Sequence, residues 1–145
     1  MTREEFLDIL DNAECRRKNE EKRRSVLGSR KAELNEHTLQ VKCVRWFRST
    51  YKDVMIWATP NGTFCSHSQA VKLVSEGVVS GVPDLFVAEA RQGFHGLFIE
   101  MKNGKAGKVS ANQDKVMDYL GSKDYKCVVC RSYDEFQKIV NDYML

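Results

Sequence analysis

No stretch of this sequence approaches the roughly 18 consecutive apolar residues that a membrane-spanning helix requires, so no membrane partner is expected. The opening residues MTREEFLDILDN are acidic and amphipathic. They lack the basic start and apolar centre of a secretory signal, so none is read there. The five cysteines are odd in number and scattered along the chain, which argues against a disulfide framework and suits reduced thiols in a cytoplasm. Cys127 and Cys130 form a C-x-x-C inside an apolar run. Positions i and i+3 of a strand point to opposite faces, and no second pair completes a zinc cage, so a zinc or redox site is not expected there. His37, His67 and His95 form no spaced set. Internal repeats and low-complexity tracts are both missing.

What is present is ordinary in bulk. A chain of 145 residues with 42% hydrophobic and 30% charged residues can build one core without staples. The net charge of +3 permits a polyanionic partner without requiring one, because distribution matters more than the total. Two regions are expected: a helical, basic extension over 1–32 and a compact domain over 33–145. In the extension, Phe6, Leu7, Ile9, Leu10 and Ala13 have the spacing of a short amphipathic helix. RRKNEEKRR, residues 16 to 24, follows with six basic and two acidic side chains. It reads either as a solvated helix face or linker, or as a contact to a phosphate backbone through Arg16, Arg17, Arg23 and Arg24.

The domain opens on an apolar helical stripe of Leu39, Cys43, Val44, Trp46 and Phe47. Glu36 and Gln40 lie one turn apart near its start. VMIWA, residues 54–58, reads as a short buried strand stopped by the turn TPNG. Ser66 with Gln69 fits a capping box, and Gly77 closes that helix. DLFVAEA and GLFIEMK read as two strands flanking RQGFH. Ser110 with Gln113 is a second capping box, YKCVVCR a strand, and Ser132 with Glu135 the start of a final helix reaching Tyr143. The expected order is helix, strand, short helix, hairpin, helix, strand, helix, an α/β domain around a mixed sheet.

Charge at strand ends is what this pattern does not explain. Asp84 follows Pro83 at the mouth of one apolar run, and Glu100, Met101 and Lys102 end the next. Side chains alternate along a strand, so Glu100 and Lys102 share a face with Phe98, while Leu97, Ile99 and Met101 form a wholly apolar opposite face. A hairpin turn centred on residue 92 or 93 sets Asp84 across from Glu100 or Lys102, on the same face as both. A turn displaced by half a residue would reverse that parity. Two carboxylates held so closely repel unless a cation lies between them. Lys102 could be that cation, in an ordinary ion-pair network. So could Mg²⁺ or Mn²⁺, for which Asp84, Glu100 and the Met101 carbonyl are suitable oxygen ligands. Lys102 would then lie beside the attacking water and offset charge developing on phosphate.

Pro83-Asp84 followed by Glu100-Met101-Lys102 resembles the signature of the PD-(D/E)XK nuclease superfamily. Glu36 with Gln40, Asn61-Gly62, KLVSEGVVSGVPDL and Gln113 narrow the resemblance, over roughly residues 33 to 135, to its VRR-NUC family. The resemblance implies a restriction-endonuclease-like α/β core, a mixed sheet flanked by helices. It implies a metal site on Asp84, Glu100, Met101 and Glu36, with Lys102 and Gln113 completing the catalytic set. Gln40, Asn61, Lys105 and Lys108 join the basic run as DNA-binding candidates. Each also has a plainer reading: Gln113 as half of a capping box, Glu36 as a residue favoured near a helix start, Asn61 as a turn residue. Stand-alone phage and bacterial members of about this size are similar to Holliday junction resolvases that act as homodimers on branched DNA. Domains of the family inside larger repair nucleases act differently, and a flap or other branched-DNA nuclease is the alternative expectation. A silent junction-binding module and a protein–protein adaptor are the competing expectations.

Overall fold

The computed structural model describes residues 20–24, 35–60 and 66–145. The chain divides into two compact units, Met1–Asn35 and Glu36–Leu145. In the first, residues 20–24, including Arg23 and Arg24, are helical and exposed. The amphipathic segment around Phe6, the pair Arg16 and Arg17, and Asn61 lie outside the described residues.

The second unit follows the order read from the sequence. Helix α1 covers 35–50, then come β1 (Ile56–Ala58), α2 (His67–Ser75), β2 (Leu85–Val87), β3 (Leu97–Met101), α3 (Ala111–Gly121), β4 (Lys126–Cys130) and α4 (Tyr133–Met144). The sheet order is β1-β2-β3-β4. β1–β2 and β2–β3 are antiparallel, while β3 and β4, joined through α3, are parallel. The helix starts are set by local chemistry. Ser66 and Ser110 each make a reciprocal capping box with Gln69 and Gln113. Ser132 caps α4 by accepting from the Glu135 amide, but the Glu135 carboxylate reaches back one residue further, to the Arg131 amide at 2.6 Å. α2 ends at Gly77, whose φ of +102° supports bonds from Gly77 N to Val74 O and from Val78 N to Leu73 O. That left-handed closure favours a residue without a Cβ.

One side of the sheet carries the core. Leu85, Val87, Leu97, Ile99 and Met101 are fully buried with Cys43 and Phe47 of α1 and Phe136, Val140 and Tyr143 of α4. Burial of large aromatic and branched side chains supplies the main drive to fold, about 1.5–3 kcal/mol each. Cys43 and Cys130 belong to this core, whereas Cys127 pairs with Phe98 on the other side. Burial pushes the Cys43 thiol up to about 12 and the Cys127 and Cys130 thiols to about 11, so all three are protonated, unreactive thiols at neutral pH.

The hairpin register has an unexpected origin. Its tight turn is Gln92-Gly93, both at positive φ, between the bridged residues Arg91 and Phe94. Two positive φ values match the right-handed twist of a hairpin. This turn is centred between 92 and 93, the half-residue displacement that by itself reverses parity. Three residues, Ala88 to Ala90, stand against two, His95 and Gly96. The extra residue acts as a bulge. It restores the pairing Leu85↔Ile99 and Phe86↔Phe98, whose continuation sets Asp84 against Glu100.

Candidate active site

The site is assembled at the ends of β2 and β3. Thr59, just past β1, holds the backbone before β2: its Oγ1 donates to Pro83 O at 2.6 Å and its amide to Asp84 O at 2.9 Å. Asp84 Oδ2 then accepts the Met101 amide at 2.8 Å. The aspartate therefore takes the place of a backbone partner at the end of β3, which fixes its carboxylate beside that strand.

Glu100 is 1% exposed and is the buried charged residue of the described chain. Its Oε1 pairs with Lys102 Nζ at 2.7 Å and accepts from Gln113 Nε2. Its Oε2 is buried with no hydrogen-bond partner. Leaving a buried carboxylate oxygen unsatisfied costs on the order of 1–3 kcal/mol or more, so the arrangement suits a ligand that supplies a cation there. Burial pushes the Asp84 carboxyl above its usual value, and the Met101 amide and Lys102 pull it partly back. Burial also raises Glu100; Lys102 opposes this, while the negative charges of Asp84 and Glu36 add to it. Glu100 therefore senses both Asp84 and Glu36, while Lys102 acts on Glu100 and Asp84.

The sequence candidates fall into separate groups in space. Asp84, Glu100, Lys102 and Gln113 converge. Glu36, on α1, is coupled to Glu100 through charge. Among the described residues, however, no three His, Cys, Asp or Glu side chains gather as a metal cluster, and the acidic residues brought together at the strand ends are the pair Asp84 and Glu100. Mg²⁺ commonly binds through one or two carboxylates with water and phosphate oxygens, and the pair with its orphaned Oε2 fits that requirement. The Met101 amide is committed to Asp84, which places its strand-end backbone against the pair. Gln40 is half-buried on α1. Lys105 and Lys108 are exposed on the loop after Lys102.

Sequence reasoning missed three supporting residues. Thr59 was hidden in a stretch read only as a turn. Arg131 donates from Nη1 to Gly104 O at 2.9 Å and to Gly107 O, clamping the loop that carries Lys105 and Lys108. Asn112 Nδ2 donates to Ser80 O at 2.8 Å and Ser80 Oγ at 3.2 Å, tying the start of α3 to the segment before Asp84. Gly81 permits that contact: its φ is +92°, and a Cβ there would lie 2.8 Å from Asn112 Nδ2. The signal available was adjacency, since Asn112 precedes Gln113, but a polar residue in a helix's first turn is too common to single out.

A model of the VRR-NUC domain matches residues 34–134. No curated protein matches the chain. Solved structures share its fold, among them two named for the same domain. One, a "VRR_NUC domain protein", aligns at 22% identity and a TM-score of 0.64, covering 76% of this chain and 88% of its own. The other, a "VRR_NUC domain", aligns at 20% identity and a TM-score of 0.53, covering 75% and 97%.

Proposed function

The chain belongs to the VRR-NUC family of nucleases, and from that premise we propose that it is a Mg²⁺- or Mn²⁺-dependent endodeoxyribonuclease acting on branched DNA. The observation that carries the reading is the buried Glu100 carboxylate beside Asp84, with Oε1 held by Lys102 and Gln113 and Oε2 left without a partner. Clustering buried charge in this way is expensive unless it is used.

In hydrolysis, water attacks phosphorus, one P–O bond forms, and the P–O bond to the leaving sugar oxygen breaks. Asp84 and Glu100 would hold the cation. When bound, it would supply Lewis acidity toward the phosphodiester and offset the two carboxylates. Lys102, whose Nζ is 2.7 Å from Glu100, would orient the attacking water and offset the charge developing on phosphate. Gln113 fixes the Glu100 rotamer, so its role is positioning. Glu36 adds negative charge near Glu100 and would support the cation through water.

Within this class we favour a homodimeric Holliday junction resolvase. One compact domain presents one site, two symmetry-related nicks need two, and twofold pairing is the commonest assembly of soluble chains. The purified chain should nick a labelled four-way junction in Mg²⁺ or Mn²⁺ and do nothing in EDTA. Ca²⁺ should allow binding with little cutting, because its ligand distances are longer and its geometry looser. Full cutting in EDTA would refute the mechanism. A monomer by sedimentation that cuts flaps and ignores junctions would replace the resolvase by a flap nuclease.

A further inference from the structure

α1 carries a second feature beyond Glu36. Its flank and the edge strand β1 bound a groove of about 290 Å³ whose lining includes His37, Gln40, Arg45, Arg48 and Trp57. Among the described residues no carboxylate lines it. Arg45 and Arg48 are exposed, and neither is ion-paired among the described residues. Arg48 Nη2 lies 3.5 Å from Ile56 O, on the outer edge of β1, which holds the guanidinium across the groove. Trp57 is 41% exposed, with its ring 4.9 Å from that of Phe86.

The groove neighbours the active site along two elements, α1 and β1. Along α1 it starts one residue beyond Glu36. A helix rises about 1.5 Å per residue, so Arg45 and Arg48 stand about 14 and 18 Å further along. At the stacked rise of about 3.4 Å per nucleotide of one strand, that distance is four to five nucleotides. On the sheet, Trp57 pairs with Phe86, and Thr59 two residues on bonds the Asp84 backbone. Trp57 is thus a diagonal cross-strand neighbour of Asp84, about 7–8 Å away.

Cations that follow a backbone, together with an exposed ring that accepts any base, are how proteins hold unpaired nucleic acid. We propose that this groove binds single-stranded DNA beside the branch, with phosphates four to five nucleotides from the cut on Arg45 and Arg48 and, where the strand turns over the edge of β1 to the Phe86 side, a base on Trp57. The proposal rests on the nuclease reading alone, not on the four-way junction, and extends it to a strand site that selects substrates with an unpaired arm.

The test uses the full chain and branched substrates whose single-stranded arm is cut back from roughly ten nucleotides to fewer than four, the reach set by the helix rise. Arg45→Ala/Arg48→Ala should raise KM about tenfold on the long arm with little change in kcat. The difference should vanish on the short arm. The salt dependence of oligothymidylate binding should fall by about 0.7 log unit per lost contact. Oligothymidylate should quench tryptophan fluorescence in the native chain, and Trp57→Phe should remove the quenching while retaining binding. An equal KM change on long and short arms would overturn the proposal, as would an unchanged salt slope. Altered sedimentation of the double variant with unaltered DNA binding would make the groove a subunit contact instead. Hydrolysis of bis(p-nitrophenyl) phosphate by the native chain reports the chemistry separately, so a protein that binds and quenches but hydrolyses nothing keeps the groove and loses the nuclease reading.

Discussion

The two faces of the sheet are built from alternate residues of the same strands, yet they do different work. Leu97, Ile99 and Met101 of β3 are sealed under α1 and α4 together with Leu85 and Val87 of β2. Phe98 and Glu100, between them in sequence, look the other way. There Phe86 meets Phe98 at 4.4 Å between ring centres, Trp57 stays 41% exposed, and α3 approaches through Gln113 without burying a single residue completely. The first face gains free energy from apolar burial and, among the described residues, leaves no buried side-chain nitrogen or oxygen unsatisfied. The second holds a buried carboxylate with an orphaned oxygen. A sheet of four short strands can carry that cost because the opposite face is packed without compromise.

Crossed substitutions test this division, and the largest effect is expected on chemistry. Asp84→Asn, Glu100→Gln and Lys102→Ala should each lower cleavage by on the order of 10²- to 10³-fold, with far-UV circular dichroism and the unfolding transition retained. Near-native cutting by either carboxylate variant would end the active-site assignment. Phe136→Ala, on the packed face, should do the reverse. Removing a fully buried phenylalanine costs about 3–5 kcal/mol, enough to lower Tm by roughly 10 °C or more, while activity per folded molecule at low temperature stays near native. Loss of activity without loss of stability would show that the two faces are not separable.

A cation should reveal the cost directly. Millimolar Mg²⁺ at ten to a hundred times its Kd should stabilise the native chain by about 1.4–2.7 kcal/mol, read as a rise in Tm. Asp84→Asn should lose most of that rise even though it lacks one of the two repelling charges. An identical Mg²⁺ response in both proteins would place the cation elsewhere.

Much of this division is legible in the amino-acid sequence. Period-2 alternation in GLFIEMK separates Phe98, Glu100 and Lys102 from Leu97, Ile99 and Met101, and the capping boxes at Ser66 and Ser110 mark helix starts. Those signals are local, and local rules fix them. The register of the hairpin is not legible on the same terms. It depends on a turn and a bulge that displace the pairing by compensating amounts, and residues 88 to 90 carry no pattern that announces the extra one. Thr59, Asn112 and Arg131 are hidden for a related reason: each works through a contact with a segment distant in sequence. Glu36 is legible as a candidate, but the sequence does not say that it couples to Glu100 by charge without forming a three-residue cluster.

Asn112 sits where the two faces' logic meets, because it serves the site by holding backbone. Asn112→Ala removes two hydrogen bonds to Ser80 and should cost about 1 kcal/mol of stability with a roughly tenfold fall in kcat at little change in KM, a loss of positioning. Asn112→Asp keeps the shape but turns a donor into an acceptor facing the Ser80 carbonyl, and should be worse than alanine. Equal behaviour of the two variants would reduce Asn112 to a solvated helix residue.

The smallest effect is the most diagnostic. Burial raises the Glu100 carboxyl above its ordinary value of 4.5, so the folded chain favours the protonated form more than the unfolded chain does. Glu100 therefore favours folding below that ordinary value, and the contribution is lost as pH rises through the raised one. Lys102 offsets the loss in part, since a glutamine would leave its ammonium against a neutral oxygen. Without divalent cation, Glu100→Gln should unfold at the native temperature near pH 4 and up to a few degrees higher near pH 7, about what 1 kcal/mol moves a domain of this size. Melting curves at the two pH values decide it. A variant less stable at pH 7 would mean that the Glu100–Lys102 pair is a net structural asset, and the second face would then be a core like the first, with its charge kept for stability.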